Sequence, residues 1–386
     1  MNGAAAQRIS GWHLIWMLIS LIVVAIGGIT GLYGWVFGQA GMFGSTREMT
    51  MGVCLIGYLY FVGITTGLCV IGALGHLFGF DTYEPATSRA AWLAIMSLLA
   101  GFFCILWDLG HPVKAVFLFI FSANLSAPIM GMAIFYASYV VFAAVEFILL
   151  MRKKYGIAVV FGGIALVLDV IARANVGFVF GSAAARPFYV GPFPSFFFLA
   201  LSMTSGIAVF LLATTWISKL RGKSNPSLIK VATKVQIVSL CVVALFYMWY
   251  IISGKFGLVP GKYEAVKALY AGPLSLNFWL FEIICGIVLP LILYASAKGK
   301  SATITFIASI LVIAGTYVAH YDFTMAGQIV SVLHPLGMTT EHSTMYLSYT
   351  PKIAEWLIIA GGYGVLSLLF LLGEAIFKFP ISEKAE

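Results

Sequence analysis

Hydrophobic positions gather along this chain in ten long blocks separated by short polar breaks. A bilayer core about 30 Å thick is crossed by roughly 20 apolar residues in a helix. The blocks near 12–37, 53–78, 90–108, 127–151, 156–179, 194–218, 231–253, 275–297, 302–320 and 353–377 meet that length, and each predicts a spanning helix. A further apolar stretch, Val113 to Phe121, is too short to cross and reads as interfacial or re-entrant. The pattern predicts an all-α polytopic membrane protein.

Composition sharpens this. Of 386 residues, 61% are hydrophobic and 9% charged, where a soluble domain carries about a quarter charged. A soluble fold is excluded, because the chain has too little polar material to cover one. The net charge of +8 is then a matter of topology rather than of nucleic acid. An even number of spans puts both ends of the span set on one side. Fourteen of the 22 Lys and Arg fall on that side, most of the excess in the short loops Arg152–Lys154 and Lys219–Lys234. Cytoplasmic termini follow from the positive-inside rule. The opposite side carries the long connections 38–52, 109–126, 180–193, 254–274 and 321–352, where a ligand or partner is expected. No small-residue cleavage site follows the first apolar run, so a retained first helix is expected.

Charges inside the bilayer are costly, at least about 2.5 kcal/mol each on insertion scales, and default to functional hypotheses. Asp169 lies mid-span with Arg173 one helical turn on, on the same face. They read either as an orienting ion pair or as a proton-relay or ligand-binding pair. Helix ends on the long-loop side bring Glu48, Asp108, His111, Asn124, Ser126, Arg173 and Asn175 to one level, and the next loop adds Arg186. Polar groups at the mouth of a helix bundle suit a small-molecule site. Glu146 and His76 sit near the inner ends of their spans, where snorkelling or proton entry explains them equally well. Glu282 lies in the eighth span, and Glu374 reads as interfacial.

Metal chemistry has little support. Cys54, Cys69, Cys104, Cys241 and Cys285 are scattered in apolar stretches with no CxxC pair, so no iron–sulfur or zinc site is expected. His13 and His76 form the one conceivable haem pair. His320, His334 and His342 are expected at or beyond the membrane surface. No haem is expected in this chain.

Specific segments carry a family resemblance. The second span runs Met51 to Gly67 with Phe61-x-Gly63-x-x-x-Gly67, and the third ends Leu106-Trp107-Asp108-Leu109-Gly110-His111-Pro112. Phe180 to Phe188 contains Ala185-Arg186-Pro187-Phe188, and Pro194 to Gly206 follows. This set resembles the NrfD/PsrC family of quinone-interacting membrane subunits of respiratory iron–sulfur complexes, with His111 where that family has Arg. Phe278 to Glu282 with Pro290, Ala326-Gly327-Gln328, and Tyr349-Thr350-Pro351 with Glu355 resemble its ten-span branch, the DsrP/HmeB type in particular.

The resemblance implies an added helix over 1–47, a four-helix bundle with a quinone site over 48–192, and a second bundle with a closing helix over 193–386. It implies a prokaryotic cytoplasmic membrane and menaquinone or menaquinol as bound substrate. A ferredoxin-like iron–sulfur subunit on the periplasmic face, with cytochrome subunits, is the implied partner. Asp108 and His111 are then expected nearest the quinone head, with Arg186 and Asn124 positioning it, and Asp169, Glu146, His76 and Glu282 as proton-transfer candidates. A secondary transporter is the rival class, but no matched pair of Gly/Pro-broken helices appears. A passive anchor is the third, and buried Asp169 argues against it.

Overall fold

The protein is described by a computed structural model covering residues 11–39, 41–77, 84–221, 225–332, 346–377 and 379. Its order is α1 (Gly11–Phe37), α2 (Val53–His76), α3 (Glu84–Asp108), α4 (Pro112–Phe121), α5 (Pro128–Met151), α6 (Tyr155–Gly181), α7 (Phe193–Arg221), α8 (Pro226–Gly257), α9 (Lys262–Ala271), a π-helix (Asn277–Val288) running on into α10 (Leu289–Ala297), α11 (Ala302–Ile329) and α12 (Ile353–Phe377). Ten of these stretches are long and apolar enough to cross a membrane, the π-helix and α10 counting as one, while α4 is a short exposed apolar helix.

Local chemistry fixes the starts. Pro112, Pro128 and Pro226 open α4, α5 and α8, where a missing N–H costs nothing. Asn225 and Ser301 accept from the Leu228 and Ile304 amides and cap α8 and α11. The helices run alternately up and down. One end of the molecule, the looped end, carries α4, α9 and the segments 38–52 and 182–192. The other has short connections.

α2, α3, α5 and α6 pack as one four-helix group, and α7, α8, α10 with its π-helix, and α11 as another. They meet where α2 crosses α7. The apolar stretch of α2 is 83% buried, that of α1 only 17%, so α2 is central and α1 is largely lipid-facing. Small residues make the α2–α7 crossing possible. A methyl group on Gly67 would overlap the Ser202 carbonyl and the Gly206 backbone. Overpacking typically costs about 1–3 kcal/mol, and a backbone neighbour cannot swing away. Gly67→Ala is therefore expected to lower the recovery of monodisperse protein after detergent extraction and heating. Gly28→Ala, with nothing within 4 Å, should leave it unchanged. Equal recovery of the two would contradict the packing.

Three expectations are corrected. The closing helix α12 lies along α1 and α3 rather than on the second bundle. Its glycines explain why: Gly361 abuts Gly27, Gly364 abuts the Ser20 carbonyl, and Gly362 faces Cys104 and Phe61. The ninth span continues to Ile329, so His320 is fully buried inside α11 rather than at the surface. Its polar residues face protein, which a hydropathy ruler cannot see. Glu374 and Arg89 are both buried, with Arg89 Nε 2.5 Å from Glu374 Oε1. This is an internal ion pair between α3 and α12, not a surface charge.

Candidate functional site

Arg173 lies where the two bundles join. From α6 it donates to the Leu59 carbonyl of α2 (2.8 Å) and the Phe198 carbonyl of α7 (3.3 Å), and its Nη2 lies 2.8 Å from His320 Nε2 on α11. The guanidinium also sits 4.8 Å from the centre of the Phe198 ring. His320 Nδ1 is 2.7 Å from the Thr316 carbonyl. A guanidinium has no acceptor, so Nε2 must accept from Arg173 and Nδ1 must carry the proton that goes to Thr316. A neutral imidazole thus completes the cradle. Gly63 leaves the space, since a methyl there would come within 3.2 Å of the guanidinium and of Ser202 Oγ.

Asp169 sits one turn away, fully buried, and neither carboxylate oxygen has a hydrogen-bond partner among the described residues. Arg173 lies near enough for each to feel the other's charge, but no Asp169–Arg173 salt bridge forms among the described residues. Thr66, Tyr136 and Tyr139 are its polar neighbours. Tyr139 Oη is 3.1 Å from Cys69 Sγ, and Cys69, Tyr139 and Glu146 border one small internal void. The first bundle therefore holds polar side chains at successive depths: Tyr58 and Tyr136 beside Arg173, then Asp169 and Thr66, then Tyr139 and Cys69, then Glu146. The His76 side chain lies outside the described residues, as do His334 and His342.

At the looped end the expected constellation separates. Asp108 is half-buried at the end of α3, facing Glu355 of α12 and the thiols of Cys54 and Cys104. Glu48, His111, Asn124 and Ser126 are exposed. Asn124 Oδ1 accepts from the Ser126 amide (3.1 Å), and Asn175 donates to the Pro128 carbonyl (2.7 Å). Arg186 is half-buried and donates to the carbonyls of Gln328 (3.2 Å), Val330 (3.0 Å) and Glu48 (2.5 Å). Burial lowers its pKa from the ordinary arginine value. It ties the loop after α6 to the end of α11 and to the segment before α2. Asp108 is thus the one member of that set at a partly enclosed position facing another carboxyl group.

The branch-like motifs near the C-terminus serve the same end. Gln328 pairs with both backbone groups of Met51, at 2.8 and 3.1 Å. Glu355 accepts from the Gly44 amide (2.7 Å), the Lys352 amide (2.9 Å) and the Tyr349 hydroxyl (2.6 Å). The Tyr349 oxygen accepts in turn from the Val53 amide (2.9 Å). Burial and the Glu355 carboxylate raise the Tyr349 hydroxyl above the ordinary tyrosine range, which keeps it a donor. These residues hold the segment 44–53 over the ends of α3 and α12.

A second buried acidic site lies in the other bundle. Glu282 of the π-helix faces Asp322 of α11 and the Tyr247 hydroxyl of α8, and Asn277 donates to Asp322 Oδ1 (3.3 Å). Sequence reasoning misses Asp322. Its only signal is a carboxylate two positions past His320 in a chain poor in charge. Among the described residues no group of three or more His, Cys, Asp or Glu is placed to hold a metal ion. His13, half of the conceivable haem pair, lies with Nε2 3.0 Å from the Leu371 carbonyl.

Ten membrane-length helices enclosing buried acids, tyrosines and a guanidinium define a multi-pass membrane protein with a polar interior. Its sequence matches the family described as "Polysulphide reductase, NrfD" over residues 41–332, and the chain belongs to that family. It is 24% identical to the Hdr-like menaquinol oxidoreductase integral membrane subunit of Archaeoglobus fulgidus, over 98% of this chain and 97% of that one. It is 22% identical to a subunit of the selenate reductase of Mesobacillus selenatarsenatis, over 91% of each.

Proposed function

We propose that this chain is the quinone-exchanging membrane subunit of a respiratory redox complex. Electrons pass between menaquinone or menaquinol, bound near the looped end of the first bundle, and an iron–sulfur subunit docked on that face, with cytochrome subunits beyond it. Protons are exchanged with the interior of the first bundle. Asp108 is the proton-exchanging group nearest the quinone, and His111, Glu48, Asn124, Ser126, Asn175 and Arg186 shape or dock the site around it. The names of the two relatives, both subunits of redox enzymes and one a menaquinol oxidoreductase, support the reading.

The observation that carries it is Asp169. A carboxyl group with no exposure and no hydrogen-bond partner among the described residues is costly in a membrane interior, and a passive anchor has no use for one. Tyr136 and Tyr139 neighbour Asp169, and Tyr139 leads on through Cys69 to the small void that Glu146 borders. Glu282 and Asp322 are the corresponding acids of the second bundle.

The test is quinol-dependent electron transfer in the complex purified from its native membrane. An iron–sulfur partner is expected to co-purify, and a quinone-site inhibitor is expected to stop turnover. Asp169→Asn is expected to slow proton-coupled turnover while the complex still assembles. Unchanged turnover would remove Asp169 from the path. Absence of any quinol-dependent transfer would remove the whole reading.

A further inference from the structure

We propose that the cleft between α11 and α12 binds a neutral isoprenoid quinone or quinol entering sideways from the membrane. This rests on the quinone reading above and adds a place for that substrate apart from Asp108. α11 and α12 are consecutive spans, yet α11 packs on α7 and the π-helix while α12 packs on α1 and α3. The gap between them holds a cavity of about 660 Å³ toward the looped end and one of about 580 Å³ toward the opposite end. Ala360 and Tyr363 border both, so the two meet along α12. Pockets that hold small molecules and cofactors run about 300–1,000 Å³.

The cleft is graded. Its looped end is bordered by Asn277, Phe281, Tyr317, Tyr321 and Trp356. Its other end is bordered by Trp16, Ile64, Val209, Trp216, Phe306 and Phe370. The Tyr317 hydroxyl is buried and bonds to no described residue. Buried hydroxyls are normally partnered, and lipid tails offer nothing, so a carbonyl or hydroxyl on an occupant is the missing partner. Among the described residues no Lys, Arg, His, Asp or Glu borders either cavity. An anionic phospholipid head would find no cation among these lining residues, whereas a neutral head with a long apolar tail matches both ends.

The cleft also backs onto the buried site. The Tyr60 ring lies 5.3 Å from that of Tyr317, 6.1 Å from Tyr363 and 5.9 Å from His320, centre to centre, and His320 holds Arg173. Two side chains thus separate an occupant from the junction of the bundles. The π-helix contributes Asn277 and Phe281, four residues apart, to the same wall. Such departures from α-geometry often mark functional positions.

The full chain in lipid nanodiscs is labelled with a photoactivatable naphthoquinone carrying a short isoprenoid tail, and the labelled peptides are mapped by mass spectrometry. Label is expected on Ala302–Ile329 and Ile353–Phe377, competed by menaquinone and not by phosphatidylglycerol. Filling the cleft with Ala314→Trp or Ala360→Trp is expected to cut that label about tenfold, and the gentler Tyr317→Phe about threefold, shifts of the size one lost contact gives. Label confined to residues 53–181 would overturn the cleft and leave the quinone reading standing. Equal competition by phosphatidylglycerol would overturn it as well, since the cleft would then be a lipid groove. No label anywhere would overturn both.

Discussion

Replacing Arg173 with methionine should cost about 3–5 kcal/mol, the range for removing one partner from a buried charged network. The side chain is completely buried and joins α6 to α2, α7 and α11 through the Leu59 and Phe198 carbonyls and His320. Hydrogen bonds from a charged donor are worth about 1.5–3 kcal/mol each. The two carbonyls keep partners within their own helices, so their loss is partial. His320 Nε2 has no such reserve and becomes an unsatisfied acceptor. At about 2–4 °C per kcal/mol for large domains, the detergent-solubilised protein is expected to melt roughly 6–20 °C lower. Arg173→Lys, a point charge without the fork, should fall between. A melting temperature unchanged in both would mean that the cradle does not join the bundles.

Asp108→Asn is expected to act in the opposite manner, cutting quinol turnover by about a hundredfold or more, the usual contribution of a positioned acid–base group, with assembly intact. Asp108 is half-buried and faces the Glu355 carboxylate. An amide removes a like charge from that pair, so stability should hold or rise slightly. Glu355→Gln is the contrasting variant. Glu355 accepts two backbone amides and the Tyr349 hydroxyl, so its loss should loosen the segment 44–53 and lower the melting temperature as well as turnover. The two variants separate a group that exchanges protons from one that holds the site together. Turnover of the Asp108→Asn complex at the parental rate would end its assignment.

Much of this was legible in residue order. Ten spans, the short α4 and the family follow from hydropathy, charge and motif spacing. A hydrocarbon solvent forces each span to satisfy its own backbone as a helix, so apolar length alone decides which segments cross. The end of α11 escaped that ruler because His320, Asp322 and Gln328 are polar yet face protein. Arg186 and Gln328 were visible as motif residues, but nothing in the sequence showed that both staple the looped end to α11.

The sequence by itself determined the class, the number of crossings and which charges the bilayer would find expensive, because each of those depends on one segment and its solvent. Tertiary structure alone decided partners. Arg173 meets His320 across 147 positions, Arg89 meets Glu374 across 285, and α12 joins α1 through glycines far apart in the chain. In lipid, helix pairing is driven by close backbone approach and by polar groups finding each other, not by burial of an apolar face. Apolar periodicity carries no record of which helix lies beside which.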